Sequence, residues 1–249
     1  MIRLLSLFAL VAGAVLAEPV DEHVRAGLAA EAAFDSAAAL RHFQAAAKLR
    51  PDDAFIEQKL ARQYSDLTTS ATEVSQKRAL AELALKHSLR ARELDPTNAI
   101  AALSVAISYG KLGLYSSVRD KIAYARLTHD YALEATKLDP ECAWAWSVLG
   151  RWHYEVATLG RTKRVVVALF YGGLPTASTA EAVTCLQRAV ALEPANPVHA
   201  IELGFALLAD HRPEEARAQF EHGLALPGAT PHDDLAKRRA REALASLPA

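Results

Sequence analysis

The chain has 249 residues, a formal net charge of −1 and 51% hydrophobic residues. It is long enough for a large core or for an array of short units. Its near-neutral charge gives no reason to expect nucleic-acid binding, which requires a strongly basic face. Ala, Leu and Arg are abundant and favour helices, whereas sparse Gly and the lack of long alternating apolar runs argue against strands. The composition therefore predicts an all-α protein.

The first residues have the pattern of a targeting segment. Arg3 precedes an apolar run over 4–16 that is too short to span a bilayer. Small residues lead up to a cleavage position after Ala17, which predicts a secretory signal peptide over 1–17. We then expect a periplasmic or secreted single domain over 18–249 that is not an integral membrane protein. An uncleaved anchor is the alternative.

The phrase Ala-x-x-Leu-x-Pro occurs four times and has the form of a helix end. Its Leu is expected to be buried, and its Ala, about one turn earlier, lets a neighbouring helix approach closely. Pro then stops the helix, and capping residues follow, as the start of a new helix requires. The four prolines are 45, 44 and 54 residues apart, longer than the tetratricopeptide period of about 34 residues. They are Pro51, Pro96, Pro140 and Pro194.

Other positions fit the same repeat register. Tetratricopeptide units carry a small residue in the first helix, and Ala and a large apolar residue in the second. The last unit, 197–230, has Gly204, Ala216 and Phe220 at these positions, and the first unit has Gly27. The sequence thus resembles the tetratricopeptide repeat family, in which stacked helix pairs bury apolar faces that a single pair cannot.

This register predicts a tetratricopeptide-like solenoid of five helix pairs and a C-terminal capping helix, with an inserted helix in the fourth pair. The insertion covers about 158–177. First helices are expected near 21–32, 53–66, 98–112, 142–157 and 197–209. Second helices are expected near 36–49, 72–94, 117–138, 178–192 and 213–225, and the capping helix near 231–247.

The sequence around the insertion has a closer resemblance. It reads Leu-Gly-Arg-Trp at 149–152, Tyr-Gly-Gly-Leu-Pro at 171–175 and Glu-Ala at 181–182. This pattern resembles the regulator of microtubule dynamics protein family, best over about 143–194, although Arg161 stands where the family pattern has Trp. The resemblance implies the fold and a groove. A predicted signal peptide with no further anchor argues against carrying over the microtubule role.

The concave face carries the candidate binding residues, because the first helices of such arrays line it. In its C-terminal half this face is mostly apolar, and an exposed surface of that kind marks a binding site unless the chain itself covers it. The inserted helix or the capping helix are the candidates for such coverage, and the insertion is expected to form one wall. The candidate partner-binding residues are Ile100, Leu103, Ile107, Lys111, Trp144, Arg151, Val198, Ile201, Phe205 and Leu208, with Val166, Phe170 and Tyr171 in the insertion wall.

Three basic side chains point to the same side. Arg62, Lys111 and Arg151 could bind a carboxylate or phosphate group. Ion pairs with a neighbouring Asp66 or Glu155 are the alternative. Basic side chains that bind a head group, next to an apolar surface that binds an acyl chain, would suit a lipid-like ligand.

Neither catalysis nor a cofactor is supported by the sequence. Its His residues show no metal-binding spacing, and phosphate loops and nucleophile elbows are absent. Cys142 and Cys185 could form a disulfide in an oxidising compartment or remain two separate thiols. We therefore predict an exported, non-catalytic scaffold that binds a protein or peptide partner and neither a metal nor nucleic acid. The alternative is a carrier or sensor of a lipid-like apolar small molecule.

Overall fold

The computed structural model describes residues 19–228 and 230–247, and these residues form twelve helices without a strand. The predicted signal peptide, 1–17, lies outside the described residues. The predicted fold class, an all-α tetratricopeptide-like solenoid, is confirmed. The helices are α1 (Pro19–Ala32), α2 (Ser36–Leu49), α3 (Ala54–Ser70), α4 (Val74–Leu94), α5 (Ala99–Leu114), α6 (Val118–Leu138), α7 (Ala143–Ala157), α8 (Arg161–Tyr171), α9 (Thr179–Leu192), α10 (Pro197–Ala209), α11 (Pro213–Ala225) and α12 (Pro231–Ser246).

Ten of these helices pack as five pairs: α1 with α2, α3 with α4, α5 with α6, α7 with α9, and α10 with α11. The inserted helix α8 lies between α7 and α9 in the chain and contacts α6. The capping helix α12 packs on α10 and α11. Helix α3 ends at Ser70, four residues later than predicted.

Each copy of the repeated phrase ends a second helix. The packing of that helix end constrains the Ala of the phrase more than the Leu. The residue before each Pro donates its backbone N–H to the carbonyl of the Ala four residues earlier. The expected burial of the Leu is wrong, because Leu49 and Leu138 are exposed. The Ala is completely buried in every copy and allows close packing of the next helix. These alanines are Ala46, Ala91, Ala135 and Ala189.

Small residues in the first helices allow equally close packing within a pair. A Cβ atom on Gly204 would lie 2.6 Å from Phe220 Cδ1, and one on Gly150 would lie 2.7 Å from Leu186 Cγ. Both distances are shorter than real contacts, so the second helix can approach this closely only because these residues are glycines.

The first helices of successive pairs contact one another in series: α3 with α5, α5 with α7, and α7 with α10. Within the described part of the chain, the second helices show no comparable contacts with each other. The first helices therefore form the inner, concave side of the array. This geometry fixes which side chains can meet a partner in the groove.

Candidate functional site

Four large apolar side chains form a row along the concave face. Each is the second residue after a helix N-cap, so the row repeats at the same position of successive first helices. Three of its members remain between 40% and 46% exposed, and large apolar side chains left exposed on neighbouring helices make this face a candidate interaction site. The row consists of Phe55 on α3, Ile100 on α5, Trp144 on α7 and Val198 on α10.

The N-caps position this row. Asp53 Oδ1 accepts a hydrogen bond from the backbone N–H of Phe55 at 2.9 Å, and Asn98 Oδ1 accepts one from Ile100 at 2.9 Å. Each cap satisfies an N–H group that the first turn leaves free. Cys142 is the N-cap of α7 and makes no capping hydrogen bond.

Trp144 is supported from the next first helix. Its ring meets the ring of His199 at 68°, with the centroids 4.7 Å apart. His199 is completely buried, and its Nε2 lies 3.2 Å from Glu193 Oε2. Burial lowers the pKa of His199, against the opposing effect of Glu193, so the neutral ring is the stable form at neutral pH.

The basic candidates in the groove have partners within the chain. Lys111 Nζ donates a hydrogen bond to the carbonyl oxygen of Ser65 at 2.7 Å. Burial lowers the pKa of Lys111, although Asp66 opposes this effect. Arg151 Nε pairs with Glu155 Oε1 at 2.9 Å. Arg151 therefore forms an ion pair within the chain, which was the alternative to binding a ligand's carboxylate or phosphate. Lys111 binds a backbone carbonyl instead.

The N-terminal end of the groove is a charged cluster around Glu31 of α1. The carboxylate of Glu31 lies 2.8 Å from Lys59 Nζ and 3.1 Å from an Arg62 nitrogen. It also accepts a hydrogen bond from Gln63 at 2.8 Å. Lys59 lies 5.3 Å from the ring centroid of Phe55, so this cluster adjoins the first member of the apolar row.

The capping helix covers the C-terminal end of the groove. The guanidinium of Arg239 lies 4.5 Å from the ring centroid of Phe205, and Arg239 Nη1 lies 2.6 Å from Glu202 Oε1. Phe205 and Leu208 are half-buried against the same core cluster as Ala240 of the capping helix. The capping helix therefore covers the C-terminal end of the groove, as one of the expectations had it. The open part of the apolar row lies on α3, α5 and α7.

Two candidate residues belong to the core. Leu103 is buried with Ala102, Ala135 and Ala145, and Ile201 is completely buried. Both point between helices, because their positions on the helix face a neighbouring helix instead of the concave surface. The expectation that they line the groove is corrected. Ile107 stays half-buried beside the Leu103 cluster.

The inserted helix does not form a wall of the groove. Helix α8 contacts α6, which is a second helix and lies on the outer side. Val166 and Phe170 are exposed, while Tyr171 is half-buried. The predicted role of these three residues as a groove wall is therefore corrected.

Sequence reasoning missed Phe55, His199, Glu202 and Arg239. Phe55 could have been found by counting from the caps, because it stands two residues after Asp53. The other three are polar partners across helices, and no spacing in the sequence indicates which helices meet there.

Both cysteines are free thiols in the structure, with Cys142 half-buried and Cys185 buried. Burial raises the pKa of the Cys185 thiol to about 11. Among the described residues, no cluster of three or more His, Cys, Asp or Glu side chains could hold a metal ion. Nor is any helix in that part of the chain long and apolar enough to cross a membrane.

Comparison with known proteins gives the family. The family described as Regulator of microtubule dynamics protein 1-3 matches residues 25–248. The chain belongs to this family. Regulator of microtubule dynamics protein 3 of Xenopus laevis is 31% identical over 136 residues, which cover 55% of this chain and 29% of that protein. Regulator of microtubule dynamics protein 1 of Bos taurus is 28% identical over 144 residues, which cover 57% and 45%.

The fold also has a solved counterpart. A thermophilic tetratricopeptide protein from Thermus thermophilus superposes with a TM-score of 0.65 and 22% identity, covering 91% of this chain and 99% of that one. A likeness at this identity shows the fold alone. The family resemblance seen over 143–194 is confirmed, and the family match extends well beyond that segment. The chain spans less than half the length of these two curated relatives.

The expected periplasmic or secreted location is wrong. The curated relatives that match include proteins of a frog, a cow and a macaque, all named for microtubule dynamics. These relatives are cytoplasmic or mitochondrial proteins and not periplasmic or secreted ones, which overturns the expectation. The apolar start of the chain, which suggested export, therefore does not decide the location.

Proposed function

We propose that this protein is a non-catalytic scaffold whose concave face binds an apolar segment of a protein partner. The observation that carries the proposal is the exposed apolar row of Phe55, Ile100 and Trp144 on adjacent first helices. Aromatic anchors are over-represented among the residues that dominate binding energy at protein interfaces. The tetratricopeptide fold supports the same role.

A carrier or sensor of a lipid-like small molecule is the second candidate. An anionic head group would need Lys111 or Arg151 as its partner, and each already has one, because Lys111 donates to the carbonyl of Ser65 and Arg151 pairs with Glu155. Small-molecule sites are also concave and bury most of the ligand. Two surface depressions, of about 220 Å³ and 450 Å³, lie between α3 and α4, and neither is lined by a residue of the row. An open row suits an extended protein segment better.

The microtubule link in the names of the relatives belongs to those longer proteins. The matched region covers 29% and 45% of two of those proteins. More than half of each of those proteins therefore lies outside the matched region.

A displayed peptide library selected on the purified protein tests the proposal. Peptides that bind should be rich in apolar side chains. The double variant Ile100→Ser, Trp144→Ala should weaken their binding by about 30-fold or more, the scale of a lost interface hot spot. The double variant Leu83→Ser, Leu138→Ser is the matched control, because both residues are similarly exposed but lie on second helices.

Equal binding by the two double variants would exclude the apolar row as the site. Native mass spectrometry of the purified protein separates the second candidate. A stoichiometric acyl compound that is lost in the Ile100→Ser, Trp144→Ala variant would support the lipid carrier and overturn the scaffold.

A further inference from the structure

The inserted helix α8 turns an apolar face away from the body of the protein. Val165, Val166, Leu169 and Phe170 are 51%, 44%, 74% and 75% exposed. Their spacing places them on one face of a helix. Val167 lies on the other side of α8 and is less exposed. The face is thus left uncovered by the rest of the described chain.

The charge of this segment is one-sided. Residues 158–180 contain three cations, Arg161, Lys163 and Arg164, and no carboxylate, although the whole chain carries a net charge of −1. The three cations lie in the first turn of α8, where the helix dipole disfavours positive charge. The N-cap, Gly160, offers no side-chain cap.

The far end of α8 is fixed to the body. Arg126 of α6 donates a hydrogen bond from Nε to the carbonyl oxygen of Gly173 at 2.8 Å and another to the carbonyl of Tyr171. Gly172 and Gly173 have φ values of 73° and 77°, which glycine adopts readily. This turn holds α8 against α6 by its C-terminal end while its apolar face points outward.

We propose that α8 docks on the surface of an anionic phospholipid bilayer. Val165, Val166, Leu169 and Phe170 enter the boundary between head groups and acyl chains, and Lys163 and Arg164 bind lipid phosphates. Interfacial helices combine an apolar face with flanking Lys and Arg in this way. Anionic lipid also offsets the cations at the start of the helix, which have no carboxylate partner within the segment.

Charge complementarity favours a bilayer over a second copy of the chain. Pairing two α8 helices through their apolar faces would bring together two segments that each carry three cations and no acid. The docking face lies on the α6 side of the molecule and not in the concave groove. The proposal therefore stands or falls independently of the groove.

Flotation of the purified protein with vesicles tests the docking. We expect binding to phosphatidylcholine vesicles that contain phosphatidylserine, and much weaker binding to phosphatidylcholine alone. The variant Lys163→Ala, Arg164→Ala should bind the anionic vesicles roughly 30-fold more weakly, from about fivefold per surface cation. The variant Leu169→Ser, Phe170→Ser should lose about tenfold or more, since two large apolar side chains no longer enter the bilayer.

The control variant is Val74→Ser, Leu114→Ser, which removes apolar side chains of similar exposure, 64% and 65%, from outside α8. It should bind like the parent protein, and circular dichroism should show all variants folded, because every changed side chain is exposed. Equal binding to vesicles with and without phosphatidylserine would overturn the proposal. So would a dimer in solution that Leu169→Ser, Phe170→Ser abolishes, because a second copy would then be the occupant of the face.

Discussion

The ring of Trp144 packs against the ring of His199 with their centroids 4.7 Å apart. Trp144 is 40% exposed in the groove, while His199 is completely buried. A core residue of α10 therefore supports a groove residue of α7 across the boundary between two repeats. Changes at His199 should affect both the stability of the stack and the position of the groove surface.

Acid should destabilise the protein through its buried histidines. Burial lowers the pKa of both His199 and His153 in the folded protein, while an unfolded chain keeps the ordinary value of about 6.5. The unfolded state thus binds more protons below that value, and stability falls as the pH falls. We expect urea denaturation to show a lower free energy of unfolding at about pH 5.5 than at about pH 7.5.

The variant His199→Gln tests the assignment, because glutamine does not titrate and can still hydrogen-bond with Glu193. Its loss of stability between the two pH values should be smaller than that of the parent. The control His222→Gln should leave the loss unchanged, since His222 is exposed to solvent in the folded protein. A loss of the same size in His199→Gln would assign the acid sensitivity to other groups.

The sequence predicted the helix pairs well because the information is local. Pro ends each second helix, and the N-caps and small residues mark the first helices within a few positions. The residues that line the groove were harder to predict from the sequence. The angle at which the helices stack decides whether a residue such as Leu103 faces a partner or a neighbouring helix. The position of α8 on the outer side could not be predicted from the sequence either, because its contact with Arg126 joins residues 45 or more positions apart in the chain.

The N-cap of α7 is a site where stability can be gained. Cys142 has φ −74° and ψ 95°, close to φ −84° and ψ 111° at Asn98, whose side chain caps α5. The variant Cys142→Asn should therefore cap α7 and be more stable than Cys142→Ala by about 1 kcal/mol. Both variants remove the thiol, so the difference between their free energies of unfolding, measured by urea denaturation, is the contribution of the capping side chain. If Cys142→Asn is no more stable than Cys142→Ala, the backbone at 142 cannot accommodate a capping side chain.

Two glycine-to-alanine changes should have opposite effects. Gly204→Ala places a Cβ atom 2.6 Å from Phe220 Cδ1 and should destabilise the protein by about 1–3 kcal/mol, as overpacking does. Gly110→Ala also lies inside a helix, but the nearest atoms, on Thr128, are 3.8 Å away. It should stabilise the protein by roughly 0.5–1 kcal/mol, because alanine is the better helix former. Thermal denaturation of both variants gives the comparison, and the same sign for both would contradict it.

The attachment of α8 should depend on Arg126. Its guanidinium binds the carbonyls of Tyr171 and Gly173, so Arg126→Ala leaves the end of α8 without this contact. We expect faster backbone hydrogen exchange over 161–171, measured by mass spectrometry, with little change elsewhere, because residues 162–171, whose side chains the structure describes, do not belong to the buried core clusters. Arg78→Ala is the control, since the guanidinium of Arg78 pairs with the carboxylate of Glu82 on the exposed surface of α4. Unchanged exchange in α8 would show that its packing on α6 is sufficient without the guanidinium.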